Sequence, residues 1–375
     1  MKYRRFGKTE LQVPVFTFGA MRIPGVPEEE EALRTIFRAV ELGITHLETA
    51  RGYGSSEELL GKAMPHIRRD DLIITTKIPP TETADEMRRF IEESLQRMNI
   101  SRIDNFDLHG INTPELLERS LRRGGCMDAV RKAQEEGIIG HVGFSTHAPL
   151  HVILDAIETR EFESVNLHYY YFNQRNLPAV LRAYELDMGV LIISPTDKGG
   201  QLFRPTQTLR ELTAPLTPIQ ANARWLLAQP EVSTLTLGAA HPEEFDEHIA
   251  VADRDGPLTE EERQIFQRLE ERFRILGDDR CTVCHECLPC PEGINIPEVL
   301  RLRNMAVAFD MVEFGKYRYN LFENAGHWFP GSRADRCTQC GDCLPRCPEK
   351  LDIPRLLFET HEMLAGEPGK RMWRT

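Results

Sequence analysis

The chain has 375 residues, enough for two domains, and an apolar fraction of 41%, enough for a sizeable core. Its formal net charge of −12 argues against nucleic acid or an anionic membrane surface as the main partner. No apolar run approaches the roughly 18 residues of a membrane span, and Met1–Glu10 lacks the apolar core of a secretory signal, so a cytoplasmic location is the expectation.

Residues 1–14 read as a hairpin, Lys2–Phe6 and Leu11–Val13 around Gly7-Lys8-Thr9. Short apolar runs then alternate with amphipathic helical patterns. The runs are Val15–Met21, Thr45–Ala50, Leu72–Lys77, Asn105–His109, His141–Ser145, Ser164–His168, Gly189–Ser194 and Ser233–Gly238. Helical patterns between them include Glu28–Leu42, Ala84–Met98, Asp128–Glu136 and Leu150–Arg160. Strands and helices in unbroken alternation predict an α/β fold, a closed (β/α)8 TIM barrel. An open doubly wound sheet would call for a Gly-rich phosphate loop after the first strand, and Val15–Pro24 carries only Gly19. Two connections, Gly110–Gly125 and Pro195–Pro218, are long, as functional lids often are.

From about Gly256 the pattern changes. Leu258–Phe266 starts a charged helix with Thr259 as its cap and Glu262 three residues on, and Gly277-Asp-Asp ends it. The expected division is a barrel over 1–277 and a small, mostly helical domain over 278–375. That second part contains an internal repeat: Cys281-Thr-Val-Cys-His-Glu-Cys-Leu-Pro-Cys-Pro-Glu matches Cys337-Thr-Gln-Cys-Gly-Asp-Cys-Leu-Pro-Arg-Cys-Pro-Glu, with Arg346 as the only length difference. Each copy launches a helix, with Pro297 and Pro354 tolerable in its first turn. Three cysteines at x2 spacing, then a fourth followed by proline, point to iron–sulfur ligation in which the fourth sulfur reaches the other cluster. The expected metal ligands are Cys281, Cys284 and Cys287 with Cys347, and Cys337, Cys340 and Cys343 with Cys290, holding two [4Fe–4S] clusters. Zinc would be expected to use separated Cys-x2-Cys pairs. Cys126 stands alone and reads as a plain helical thiol. The Cys-rich part resembles dicluster ferredoxin domains, particularly those with long helical inserts.

Polar residues close three successive barrel runs. Glu48 ends Thr45-His-Leu-Glu48 and precedes the Gly-flanked Tyr53, Lys77 ends the next run, and His109 the one after. In a barrel of this kind the carboxyl ends of the strands carry the chemistry, so a carboxylate, a phenol, an ammonium and an imidazole share one rim. Over roughly Met1–Asp255 the chain resembles the aldo-keto reductases, whose catalytic set is Asp, Tyr, Lys and His at these places; Glu48 stands where that family has Asp. The resemblance implies an oxidoreductase moving hydride between a nicotinamide and a carbonyl or alcohol substrate. Tyr53 would be the general acid, Lys77 would lower its pKa, Glu48 would hold Lys77, and His109 would polarise the carbonyl. It also implies nicotinamide contacts at Gly19, Ala20 and Met21, at Ser145 and Thr146, at Asn166, and at Ser194, which follows Ile193 in the place of a stacking aromatic. The adenosine segment would be Gly238–His248, with Glu244 and His248 as contacts. NADP is the family's usual cofactor, and NAD stays open because that segment lacks Lys and Arg. Both long connections would shape the substrate pocket.

Nicotinamide carries two electrons and a cluster one. The fusion therefore implies electron exchange with an outside protein donor or acceptor, or a structural role for the clusters. An electron-transfer or scaffold protein with a degenerate barrel is the alternative, favoured by Glu48, Thr146 and Ile193.

Overall fold

The computed structural model describes residues 1–254 and 256–369; the last residues of the expected 278–375 domain lie outside that range. The hairpin strands β1 (Tyr3–Arg5) and β2 (Gln12–Pro14) pair antiparallel. Eight further strands follow: β3 (Phe16–Gly19), β4 (His46–Glu48), β5 (Ile73–Ile78), β6 (Ile103–His109), β7 (Ile139–Ser145), β8 (Ser164–Leu167), β9 (Gly189–Ile192) and β10 (Thr234–Leu237). They pair in parallel in the order β3 to β10 and close through β10 on β3. The TIM barrel expected from the alternation is therefore the observed fold.

Local chemistry explains the helices that cover the barrel. Glu29–Glu41 opens on three glutamates and carries Arg38 in its last turn, matching its dipole at both ends. Ala84–Met98 is capped by Thr83, whose hydroxyl accepts from the Glu86 N–H at 3.2 Å, and ends at Asn99 in the left-handed region. The long connections contain helices that their composition did not announce. Pro114–Leu121 starts at the Thr113 cap and Gln207–Thr213 at the Thr206 cap. Each is too short to show a clear 3.6-residue pattern, and only the caps mark them.

The barrel axis is polar where the fold ordinarily places branched apolar side chains. Thr17 Oγ1 lies 2.8 Å from both His46 Nδ1 and Thr234 Oγ1, and His46 Nε2 lies 2.8 Å from Thr75 Oγ1. Asn105, Asp107, Ser164 and Asn166 continue the hydrogen bonding toward the rim. Phe6, Val13 and Leu191 form a separate apolar cluster from the hairpin into the barrel. Gly7 and Gly189 let the hairpin come this close: a Cβ on Gly7 would lie 2.3 Å from the Gly189 nitrogen, and one on Gly189 2.5 Å from the Phe6 ring.

Two compact units are present, Met1–Gly199 with Asn222–Pro257, and Gly200–Ala221 with the residues from Leu258 on. In the second, Glu260–Arg272 starts with a capping box between Thr259 and Glu262, and Gly277 turns the chain at φ +53°. Helix Ile296–Phe309 is the buried centre of this unit, packed by Val312–Tyr319 and Ile353–Leu364. Its Arg301 and Glu298 form a buried two-point ion pair at 2.6 and 2.8 Å. Among the described residues no helix is long and apolar enough to cross a membrane.

Burial moves two barrel histidines far down, His46 from 6.5 to about 3 and His248 from 6.5 to about 4. Both stay neutral when folded and take up a proton on unfolding below about pH 6.5, so their contribution is present above that pH and is lost as pH falls. Urea unfolding is expected to show stability dropping by up to about 1.4 kcal/mol per pH unit for each histidine between about pH 6.5 and 4.5; a flat profile would contradict the neutral assignment.

Candidate active site and thiol pockets

The rim chemistry starts from a buried lysine. Lys77 on β5 is 1% exposed, Glu48 on β4 3% and Asp107 on β6 0%. Lys77 forms an ion pair with Glu48 and donates to the Thr49 carbonyl at 2.8 Å. Asp107 is the register partner of Lys77 and accepts from Asn105 Nδ2 at 2.9 Å and Asn166 Nδ2 at 2.7 Å. One buried ammonium is thus paired with one buried carboxylate and feels the charge of a second. Burial pulls Lys77 down to about 7 against the opposing pull of Asp107. Burial likewise pushes Asp107 up to about 6, against Lys77, Asn105 and Asn166. Gly19 makes room for the longer acid: a Cβ there would stand 3.3 Å from Glu48 Oε2.

Tyr53 and His109 lie over this group. The Lys77 ammonium is 4.9 Å from the centre of the Tyr53 ring, and the Tyr53 and His109 rings meet edge to face with centroids 5.5 Å apart. All four expected rim residues therefore come together. The electrostatics depart from the expectation, because the Tyr53 phenol is pushed up rather than down. Burial is the main cause and the Asp107 charge adds to it, while the charge of Lys77 is paired with Glu48.

The expected nicotinamide positions surround the same rim in different ways. The Ala20 N–H donates to the Glu48 carbonyl at 2.8 Å, the Ala20 carbonyl accepts from Ser56 Oγ at 2.8 Å, and Met21 is half-buried. Ser145 Oγ accepts from the Gly110 N–H at 3.2 Å. The Thr146 hydroxyl donates to the Ile111 carbonyl at 2.7 Å and accepts from the Ala148 N–H at 3.0 Å, so it is occupied in closing its own turn. Asn166 is 1% exposed, and its Oδ1 has no hydrogen-bond partner among the described residues. Ser194 adopts φ +53°. His248 is buried against Phe16.

Sequence reasoning missed Asp107, concealed in an apolar run, and Arg22. The Arg22 guanidinium donates to the Gly238 carbonyl at 2.7 Å and to Glu244 at 2.5 and 3.1 Å. It gives the Gly238–His248 segment a cation from 216 residues away. The missed signal in β6 was alternation, with polar Asn105 and Asp107 between apolar Phe106 and Leu108.

In the second unit the cysteines line two pockets. Cys290, Cys337, Cys340 and Cys343 face one of about 340 Å³. Cys281, Cys284, Cys287 and Cys347 face another of about 300 Å³. The repeat extends to the backbone, with Val283 and His285 in the left-handed region at the positions of Gln339 and Gly341. Burial pushes the Cys281 thiol up to about 11 and Cys287 up to about 12, and neighbouring thiols push each further. Four such soft donors around one small pocket suit an iron–sulfur cluster, whose positive iron holds them as thiolates. Cys126 is buried, with Sγ 3.6 Å from the Ser120 carbonyl.

Comparison with known proteins agrees with this construction. The profile of the aldo/keto reductase family matches residues 16–271, and the chain belongs to that family. A 4Fe-4S dicluster domain follows at residues 280–351. Among curated relatives, the uncharacterized oxidoreductase YqkF of Bacillus subtilis is 25% identical over 71% of this chain and 96% of its own length. The L-glyceraldehyde 3-phosphate reductase of Escherichia coli is 24% identical over 72% of this chain and 93% of its own. Among solved structures, the holo form of aldo-keto reductase AKR11C1 from Bacillus halodurans superposes with a TM-score of 0.62 at 25% identity, covering 72% of this chain and 96% of that one. The protein is thus an aldo/keto reductase-family oxidoreductase with a C-terminal 4Fe-4S dicluster domain.

Replacing Lys77 by Met leaves two buried carboxylates without their cation and is expected to cost about 3–5 kcal/mol of stability. Urea unfolding measures it, and a loss below about 1 kcal/mol would show that the charge is not held as described.

Proposed function

We propose that the barrel catalyses hydride transfer between a nicotinamide dinucleotide and a small carbonyl or alcohol substrate, with Tyr53 as the proton donor. The observation that carries this is the buried Glu48–Lys77 ion pair beside the Tyr53 ring and His109. A degenerate barrel would have no reason to keep an ammonium dry at this rim. The nicotinamide supplies the hydride when bound, and the two [4Fe–4S] clusters supply single-electron steps.

The chain's own residues define the rest. Tyr53 keeps its proton at neutral pH because burial and Asp107 disfavour phenolate. In carbonyl reduction it gives that proton up as alkoxide charge develops, since an alkoxide is a far stronger base than a phenolate. His109 polarises the carbonyl oxygen. Lys77, fixed by Glu48 and the Thr49 carbonyl, stabilises the phenolate left behind. The unpartnered Asn166 Oδ1 offers an acceptor for the carboxamide N–H of the nicotinamide. Arg22 brings a guanidinium to the adenosine segment, which lacks one of its own, and there it is paired with Glu244. The thiol sets Cys281, Cys284, Cys287, Cys347 and Cys290, Cys337, Cys340, Cys343 hold one cluster each, and a protein electron donor or acceptor in the cytoplasm serves them.

A carbonyl-reduction assay over pH tests the barrel reading. Tyr53→Phe is expected to lose about 10²–10⁴-fold in kcat; unchanged turnover would remove Tyr53 as the acid. Asp107→Asn withdraws an anion that raises both Lys77 and Tyr53, so the basic limb of the profile moves to lower pH. For the clusters, anaerobic iron and sulfide analysis is expected to give about eight of each per chain, as two four-iron sites require. Cys340→Ser should halve the intact cluster signal, and zinc in place of iron would end that reading.

A further inference from the structure

The two cysteine runs differ in length by Arg346 alone, and the place of its side chain is not the one its sequence neighbour suggests. Cys347 faces one pocket, whereas Arg346 lines the other, with Cys290, Cys337, Cys340 and Cys343. Two backbone carbonyls pin the guanidinium there. Nε donates to Asp342, beside Cys343, and Nη2 to Pro289, beside Cys290, both at 2.9 Å. Carbonyls fix a guanidinium without neutralising it, and no carboxylate among the described residues forms an ion pair with Arg346.

The rest of the two linings is nearly matched. Glu292 lines the pocket with Arg346, and its repeat counterpart Glu349 lines the other. The other pocket has no arginine or lysine in its lining; the remaining polar differences are uncharged or titratable, Gln339 in the lining with Arg346 where the counterpart is Val283, and His285 in the other pocket where the counterpart is Gly341. Guanidinium stays charged at every working pH, so one pocket has a permanent cation and its twin has none. Uptake of one electron makes a four-thiolate site one charge more negative. A fixed cation in the wall favours that reduced form, and net charge is among the factors that set cluster potential.

We propose that Arg346 holds the site of Cys290, Cys337, Cys340 and Cys343 at a higher reduction potential than its repeat partner, making it the resting place of the first electron to enter the domain. This rests on the assignment of one [4Fe–4S] cluster to each thiol set. The inserted residue thus does two things. It spaces Cys347 for the far pocket, and it gives the near pocket the charge that separates two otherwise similar sites.

The test is a redox titration of the full-length, anaerobically purified chain, with dithionite as the one-electron donor and electron paramagnetic resonance as the readout. The wild type should show two midpoints. Arg346→Gln should lower the upper one enough to cut the reduced-to-oxidised ratio at fixed potential at least tenfold, which is 59 mV for one electron, and leave the lower one in place. Arg346→Lys keeps the charge without the two-carbonyl clamp and should retain most of the upper value. Glu349→Gln, which removes an anion from the other pocket, should raise the lower midpoint. An upper midpoint that ignores Arg346→Gln, an equal drop in the Lys and Gln variants, or a shared drop of both midpoints would overturn the proposal. If Arg346→Gln fails to load iron, the Lys and Glu349 variants decide by the same criteria. A wild type that binds no iron removes the cluster assignment itself; two clusters indifferent to Arg346 remove this inference alone.

Discussion

A lysine kept out of water needs anions around it, and most of the barrel's interior follows from that need. Lys77 is paired with Glu48 and feels the charge of Asp107 on the neighbouring strand, and each carboxylate needs its own neighbours. Asp107 takes Asn105 and Asn166, Asn105 takes Ser164, and the axis fills with polar side chains. Such an arrangement is poor at adding stability, because desolvation offsets much of the attraction. At the surface of the group the Tyr53 and His109 rings meet edge to face, with the Lys77 ammonium 4.9 Å from the Tyr53 ring centre.

The same economy of charge appears in the second unit. Each pocket gathers four thiols, one buried, two half-buried and one exposed, and the burial of Cys281 and Cys287 disfavours their thiolates, so the loops suit a metal that supplies positive charge. The repeat keeps its backbone geometry closely enough that a β-branched residue, Val283, adopts the left-handed conformation of Gln339. Sterics disfavour that conformation for valine, and the loop between Cys281 and Cys284 adopts it nonetheless.

How far the sequence announced all this depends on the range of the signal. The barrel strands were legible as apolar runs, and observed bounds differ by a residue or two at most ends, as β4 shows against Thr45–Ala50. The rim residues were legible because each closes such a run, and the thiol sets because cysteine spacing is local. The short helices Pro114–Leu121 and Gln207–Thr213 were not, since seven or eight residues hold too few turns to show a period. Asp107 was overlooked because an acid among Phe106 and Leu108 looked like an interruption rather than the inward face of a strand. Arg22 could not be joined to Glu244 by any local rule, and the direction of the Tyr53 shift depends on how dry the barrel is, which only packing decides.

The hairpin at the start of the chain has a consequence for the buried charges of the barrel. Phe6, Val13 and Leu191 cork the amino end of the cylinder, and Gly7 and Gly189 let the stopper seat fully. The buried Lys77 and Asp107 are thus shielded at the base by the hairpin, and at the rim the rings of Tyr53 and His109 lie nearest to Lys77.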